Sequence, residues 1–141
     1  MKKFMLVLSL ILLTHLGLQA QATDLQLIEK CLNHYLVGGT DNDFDRLKQA
    51  FHPTATMKFV GESYTEVNAL DFFRKGMRPG PKQNRKTRIV SVSISGNAAN
   101  AQLEIEYPTF FFFDYMHLLK VEGEWKIVSK IFYKKEKHED K

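Results

Sequence analysis

The chain has 141 residues, 44% of them apolar, and a formal charge of +4. That length suits one domain behind a leader, and so mild a charge argues against nucleic acid as a partner. The single cysteine, Cys31, excludes an intramolecular disulfide framework.

Residues 1–22 have the layout of a secretory signal. Lys2 and Lys3 form a positive n-region, and Phe4–Leu18 is apolar apart from Ser9, Thr14, His15 and Gly17. Ala20-Gln21-Ala22 offers the small residues a signal peptidase needs, so cleavage is expected after Ala20 or Ala22. The apolar run is shorter than the ~20 residues that span a bilayer comfortably, which favours a removed leader over an anchor. No later run is long enough to cross a membrane. The expected product is an exported bacterial protein, periplasmic or extracellular. Its one domain covers 23–134, and a charged tail, 135–141, is expected to fray.

Asp24 is placed to cap a first helix. Leu25, Ile28, Leu32, Tyr35 and Leu36 recur at three- and four-residue spacing and lay an apolar stripe along it. Gly38-Gly39 offers a left-handed stop. Cys31 falls on the stripe, where a buried, inert thiol is expected. Asp43 caps a short second helix that turns Phe44, Leu47, Ala50 and Phe51 inward. His52-Pro53 ends it, because the residue before proline avoids helical angles. Ala55–Val60 reads as a strand and Gly61-Glu62-Ser63 as a turn. Thr65 is expected to cap a third helix through Gly76, with Val67, Leu70, Phe73 and Met77 inward. Met77–Arg85, which contains Pro79-Gly80-Pro81, is a loop.

Four long strands complete the chain. Ile89, Val90, Val92 and Ile94 lead to a Gly96-Asn97 turn, and Gln102–Tyr107 returns. Pro108 breaks the run before Phe110–Val121, and Glu122-Gly123-Glu124 turns the chain into Trp125–Tyr133. Alternation puts Phe110, Phe112, Asp114, Met116 and Leu118 on one face of the aromatic strand. Phe111, Phe113, Tyr115, His117 and Leu119 take the other. Val128, Lys130 and Phe132 are expected on the face that Trp125 and Ile127 do not occupy. Both faces of the aromatic strand are apolar, so both are expected to be covered, one by helices and one by a second copy of the chain. Helices followed by an antiparallel meander make an α+β plan. A long, strongly twisted sheet curls, and the result is a cone with a pocket at its open end.

Several segments together resemble a known family. They are Ile28-Glu29-Lys30 through Tyr35, Gly39-Thr40, Asp43–Leu47, Ala50–Ala55, Gly80–Arg85, Asp114-Tyr115, Leu118-Leu119-Lys120 and Gly123–Val128. The chain resembles the nuclear-transport-factor-2-like (NTF2-like) superfamily, whose cone fold is shared by ketosteroid isomerases, scytalone dehydratase and SnoaL-like polyketide cyclases. Within it, the nearest likeness is to the group described as "putative lumazine-binding". The resemblance covers nearly all of the chain after the leader. It implies a strongly curved antiparallel sheet covered by N-terminal helices and, as in many members, a homodimer through the sheet. A ketosteroid isomerase also needs a first-strand carboxylate to move a proton, with a first-helix tyrosine and a protonated acid as oxyanion donors. Tyr35 falls where that tyrosine would lie. Phe59 or a neighbour occupies the place of the base, and Met57–Val60 contains no carboxylate. That activity is therefore not expected.

Other chemistry is thin. Asp41, Asp43 and Asp45 alternate as in a calcium loop, yet the sixth position is Arg46 and the twelfth His52. They read as turn and capping residues. His34, His52, His117 and His138 lack metal-ligand spacing, and no phosphate loop is present, so neither a metal nor a cofactor is expected. The residues expected at a ligand pocket are Tyr35, Phe59, Phe73, Tyr107, Phe112, Asp114, Tyr115, His117 and Trp125. Arg74, Lys75, Arg78, Lys82, Arg85, Lys86 and Arg88 form a basic stretch. Within it, Arg78, Lys82 and Arg85 would make a rim that attracts an anionic ligand. Three functional readings are open. The first is an exported domain that binds a small aromatic or amphipathic molecule without catalysis. The second is a cyclase-, isomerase- or dehydratase-type enzyme using Tyr35 with Asp114 or His117. The third is a structural or interaction dimer. The missing first-strand carboxylate favours the first and the third.

Overall fold

A computed structural model describes residues 23–137. The expected leader and the last four residues lie outside them. Helix α1 spans 23–41 and buries Ile28, Leu32, Tyr35 and Leu36 along one side. It does not stop at the glycine pair. It continues to Asp41 and ends at Asn42, whose φ of 56° takes the left-handed turn. The glycines serve close approach instead. A Cβ at Gly38 would stand 2.6 Å from the Leu47 backbone nitrogen, and one at Gly39 would collide with the Arg85 guanidinium.

Asp43 caps α2, Phe44–Leu47, by accepting the Arg46 amide at 2.9 Å, and a 3-10 turn over Lys48–Ala50 follows. Strand β1 runs Phe51–Val60, so it begins four residues before Ala55 and contains the expected helix stop. Pro53 is tolerated there because the pairing of β1 is irregular between Phe51 and Thr56. Strand β2, Tyr64–Asn68, replaces the first turns of the helix expected from Thr65. Its Tyr-Thr-Glu-Val run suits a strand, and it pairs antiparallel with β1 from Thr56↔Asn68 to Val60↔Tyr64. Asn68 is the true cap of helix α3, Ala69–Gly76, accepting the Asp71 amide at 3.0 Å.

Strands β3 (Lys86–Ser95), β4 (Ala98–Glu106), β5 (Phe110–Val121) and β6 (Glu124–Glu136) form the meander. The sheet order is β2-β1-β6-β5-β4-β3. It is mixed rather than wholly antiparallel, because β1 lies parallel to β6. β6 also continues beyond the expected domain end at 134. It is held there by pairing to β5 and by Lys137 Nζ, which donates to Glu106 Oε1 at 2.6 Å.

One irregularity in β6 decides what faces the interior. His117 pairs with Ser129 but Leu118 pairs with Ile127, so Val128 is an extra residue. Such a bulge reverses the alternation beyond it. Lys130 and Phe132 therefore join Trp125 and Ile127 on the inner face, opposite to expectation. There α1 packs on β4, β5 and β6, with Leu103, Ile105, Met116, Leu118 and Ile127 fully buried. The result is the α+β cone anticipated from the sequence.

Candidate functional site

A cavity of about 190 Å³ lies between the inner sheet face and the helices. Met57, Phe73, Ile105, Phe112 and Phe132 are among its apolar walls, and Tyr35 and Lys130 bring polar groups to its floor. α1 places Tyr35 nearly two turns before its own C-terminus, and the Val128 bulge aims Lys130 inward. Asp114, on β5, lies behind both. The Tyr35 hydroxyl donates to Asp114 Oδ2 at 2.7 Å, and Lys130 Nζ donates to Oδ1 at 2.7 Å. Asp114 is fully buried and Lys130 is 4% exposed. A charge buried this deeply must be paired and hydrogen-bonded, and here each is.

The surroundings tune these groups. Burial pulls the Lys130 ammonium below its ordinary pKa, with the Asp114 charge opposing and Arg85 assisting. Nζ also stands 4.1 Å from the Phe132 ring centroid, within cation–π range. Burial pushes the Tyr35 hydroxyl well above the usual tyrosine value, and the negative charge on Asp114 adds to the shift.

Arg85, Tyr107 and Gln83 form a polar side of the cavity. Arg85 donates from Nε to Thr40 Oγ1 at 2.9 Å, from Nη2 to the Leu36 carbonyl at 3.0 Å, and from Nη1 to the Tyr107 hydroxyl at 2.9 Å. Tyr107 donates to Gln83 Oε1 at 2.7 Å, and Gln83 Nε2 reaches the Gly39 carbonyl at 3.0 Å. The loop over 77–85 thereby satisfies carbonyls that the end of α1 would leave without partners.

Tyr35, Phe73, Tyr107 and Phe112, all expected at a pocket, line this cavity. Phe59 stacks on Phe132 with ring centroids 4.8 Å apart, one layer out. Three expected pocket residues lie elsewhere. Tyr115 and His117 are exposed on the outer face, because β5 alternates without interruption and Asp114 takes the inner one. Trp125 is buried among core residues away from the cavity, where its Nε1 donates to Asp24 Oδ1 at 3.1 Å. Asp114 and His117 therefore point to opposite faces. Of the expected rim, Arg85 alone lines the cavity. Arg78 donates to the Lys75 and Met77 carbonyls, and Lys82 pairs with Asp41 at 3.1 Å. No group of metal-ligating side chains occurs among the described residues.

The family described as "Putative lumazine-binding" matches residues 23–133, all of this cone but the end of β6, and includes the site within it. The chain belongs to that family. Solved structures similar to this chain include an NTF2-like protein from Shewanella baltica OS155. The two share 29% identity over 80% of this chain and 94% of that one, with a TM-score of 0.73. An NTF2-like protein from Methylobacillus flagellatus KT is 31% identical over 79% of this chain and 92% of its own, with a TM-score of 0.70. The aldolase FrzH of a Cladobotryum species is 27% identical over 94 residues, which are 62% of this chain and 73% of that protein.

Lys130 is the functional candidate that sequence reasoning missed. Strict alternation puts it outside, and nothing in Ile127-Val128-Ser129-Lys130 announces the extra residue. Its pairing with Asp114 exists only in the folded sheet.

Proposed function

We propose that this NTF2-like domain, once exported, binds a small flat molecule with an apolar body and one carbonyl or similar acceptor. The body would lie against Met57, Phe73, Phe112 and Phe132, and the acceptor would face Lys130, whose ammonium has N–H groups beyond the one given to Asp114. The observation that carries this reading is a largely apolar cavity with its buried donors gathered on the floor. Size narrows the ligand further. About 190 Å³ exceeds the ~150 Å³ that admits benzene and falls below the ~300 Å³ typical of drug-sized pockets. One or two rings suit it. The test is native mass spectrometry of protein purified from its own host. A small molecule should be retained by the natural protein and lost in Ile105→Trp, which fills the cavity. Equal retention by both would refute the reading.

The buried Lys130–Asp114–Tyr35 cluster favours a second reading, that the pocket also carries out a reaction. Such a cluster is more than a passive apolar site needs. Similarity to a protein named as an aldolase supports chemistry at a carbonyl.

The outer sheet face supports the homodimer. Tyr115, Leu119, Ile131 and Tyr133 of β5 and β6 are all more than two-fifths exposed, beside half-buried Phe111 and Phe113. An apolar face of that kind is a self-association surface, and a second copy presents the same one.

A further inference from the structure

We propose that Lys130 is a nucleophile that condenses with the carbonyl carbon of a small aromatic ketone or aldehyde in the cavity, forming an iminium held over Asp114 and Tyr35. The proposal rests on the ligand-binding reading above and names its substrate class.

Lys130 is the one amine among the residues lining the cavity. Its Nζ lies at the floor with 4% of the residue exposed, so a carbonyl carbon directed at the floor meets it without competing water. A lysine becomes a nucleophile when its surroundings disfavour the ammonium. Here burial does so, and the group's lowered pKa agrees. Asp114 would otherwise hold the amine protonated, but at 2.7 Å it is also placed to take a proton. The Tyr35 hydroxyl, hydrogen-bonded to the other Asp114 oxygen and lining the cavity, offers a path for that proton to the substrate oxygen.

The step balances with no outside reagent. Lys130 passes a proton to Asp114, and its lone pair forms the C–N bond as the carbonyl π pair moves to oxygen. The oxygen takes a proton from Tyr35, which is resupplied from Asp114. The nitrogen gives Asp114 a second proton, which follows the same route, and the hydroxyl leaves as water. Two of the three ammonium protons depart with the oxygen. The third stays on the iminium nitrogen, so the charge is unchanged.

The test incubates the whole protein with benzoylacetone, a one-ring 1,3-diketone whose amine adducts persist, and records native mass spectra followed by peptide mapping. A condensation product is lighter than the non-covalent complex by one water, so the two appear separately. The expected result is a single water-deficient adduct at Lys130, formed at least about tenfold faster than at any surface lysine. A factor of ten corresponds to one pKa unit of amine availability. Asp114→Leu combined with Lys130→Met removes the amine while keeping the floor uncharged and should lose the adduct, so a water-deficient adduct that persists in it overturns the assignment to Lys130. Full-mass complex alone in the natural protein overturns the iminium and leaves the pocket standing. Neither species overturns both. Labelling spread evenly over surface lysines, with Lys130 unmodified, also overturns the iminium.

Discussion

Lys130 and Asp114 sit on adjacent strands without being register partners. Asp114 lies opposite Phe132, and Lys130 lies opposite Met116. The ammonium reaches its carboxylate along the diagonal, a distance long side chains can cover. Asp114 faces inward by the plain alternation of β5, and Lys130 joins it there because the bulge at Val128 shifts β6 by one residue just before it. A single inserted residue thus sets the charge pattern of the cavity floor.

Asp114→Asn is expected to destabilise the protein by about 3–5 kcal/mol, the usual result of leaving one member of a buried ion pair without its partner. Replacing both partners, as Asp114→Leu with Lys130→Met, should recover most of that loss, since two charges then need no solvation. Urea denaturation of the three proteins is the measurement. A single variant as stable as the natural protein would show that the pair is not desolvated.

Burial raises the Cys31 thiol from 9.0 to about 11. The folded state then holds this proton more tightly than the unfolded chain. The resulting stability is whole below about pH 9 and is lost as the pH rises through about 11. Linkage puts the loss at about 2–3 kcal/mol. Cys31→Ala removes that share of the alkaline slope, whatever its cost in packing. Stability of the two proteins followed by urea melts across this range should diverge, and parallel curves would contradict the assignment.

Gly38 and Gly39 should respond differently to alanine. At Gly38 the new methyl meets Leu47 backbone at 2.6 and 2.9 Å, which cannot yield locally. A loss of about 2–3 kcal/mol is expected, as for other overpacked cores. At Gly39 the obstacle is the end of the Arg85 side chain, and the better helix propensity of alanine, about 1 kcal/mol, offsets part of its displacement. Thermal melts should rank Gly38→Ala well below Gly39→Ala. The reverse order would mean that the Arg85 bonds to Leu36, Thr40 and Tyr107 outweigh the backbone clash.

If the outer face joins two copies, Ile131→Lys together with Tyr133→Glu should convert dimer to monomer while leaving the fold intact. Both positions are exposed in the single chain, Ile131 at 46% and Tyr133 at 63%. Sedimentation velocity reads the change directly. A natural protein that is monomeric at micromolar concentration would end this proposal.

The strands of the meander could be read because each carries its own alternation and turn. Phe110–Val121 is matched end to end, while β4 starts at Ala98, four residues before the expected Gln102, because it pairs directly from the Gly96-Asn97 turn. The inward stripe of α1 was equally legible from Ile28 to Leu36, Tyr35 included, although Leu25, expected to begin it, lies exposed. Misreadings cluster where a neighbour overrides local preference. Thr65 has the composition of a helix cap, yet pairing with β1 makes it part of a strand. Gly38-Gly39 has the composition of a helix stop, yet contact with Leu47 and Arg85 explains both glycines.

Periodicity and turn chemistry act over a few residues, and they were enough to specify an α+β cone with an apolar interior. They could not specify the floor of its cavity. Tyr35, Asp114 and Lys130 meet across as many as 95 positions of sequence (Tyr35 to Lys130), and their meeting depends on one extra residue in β6. Pairing between strands is a property of the whole sheet, so the charged floor, the sidedness of Tyr115 and His117, and the reach of Arg85 all awaited the assembled fold.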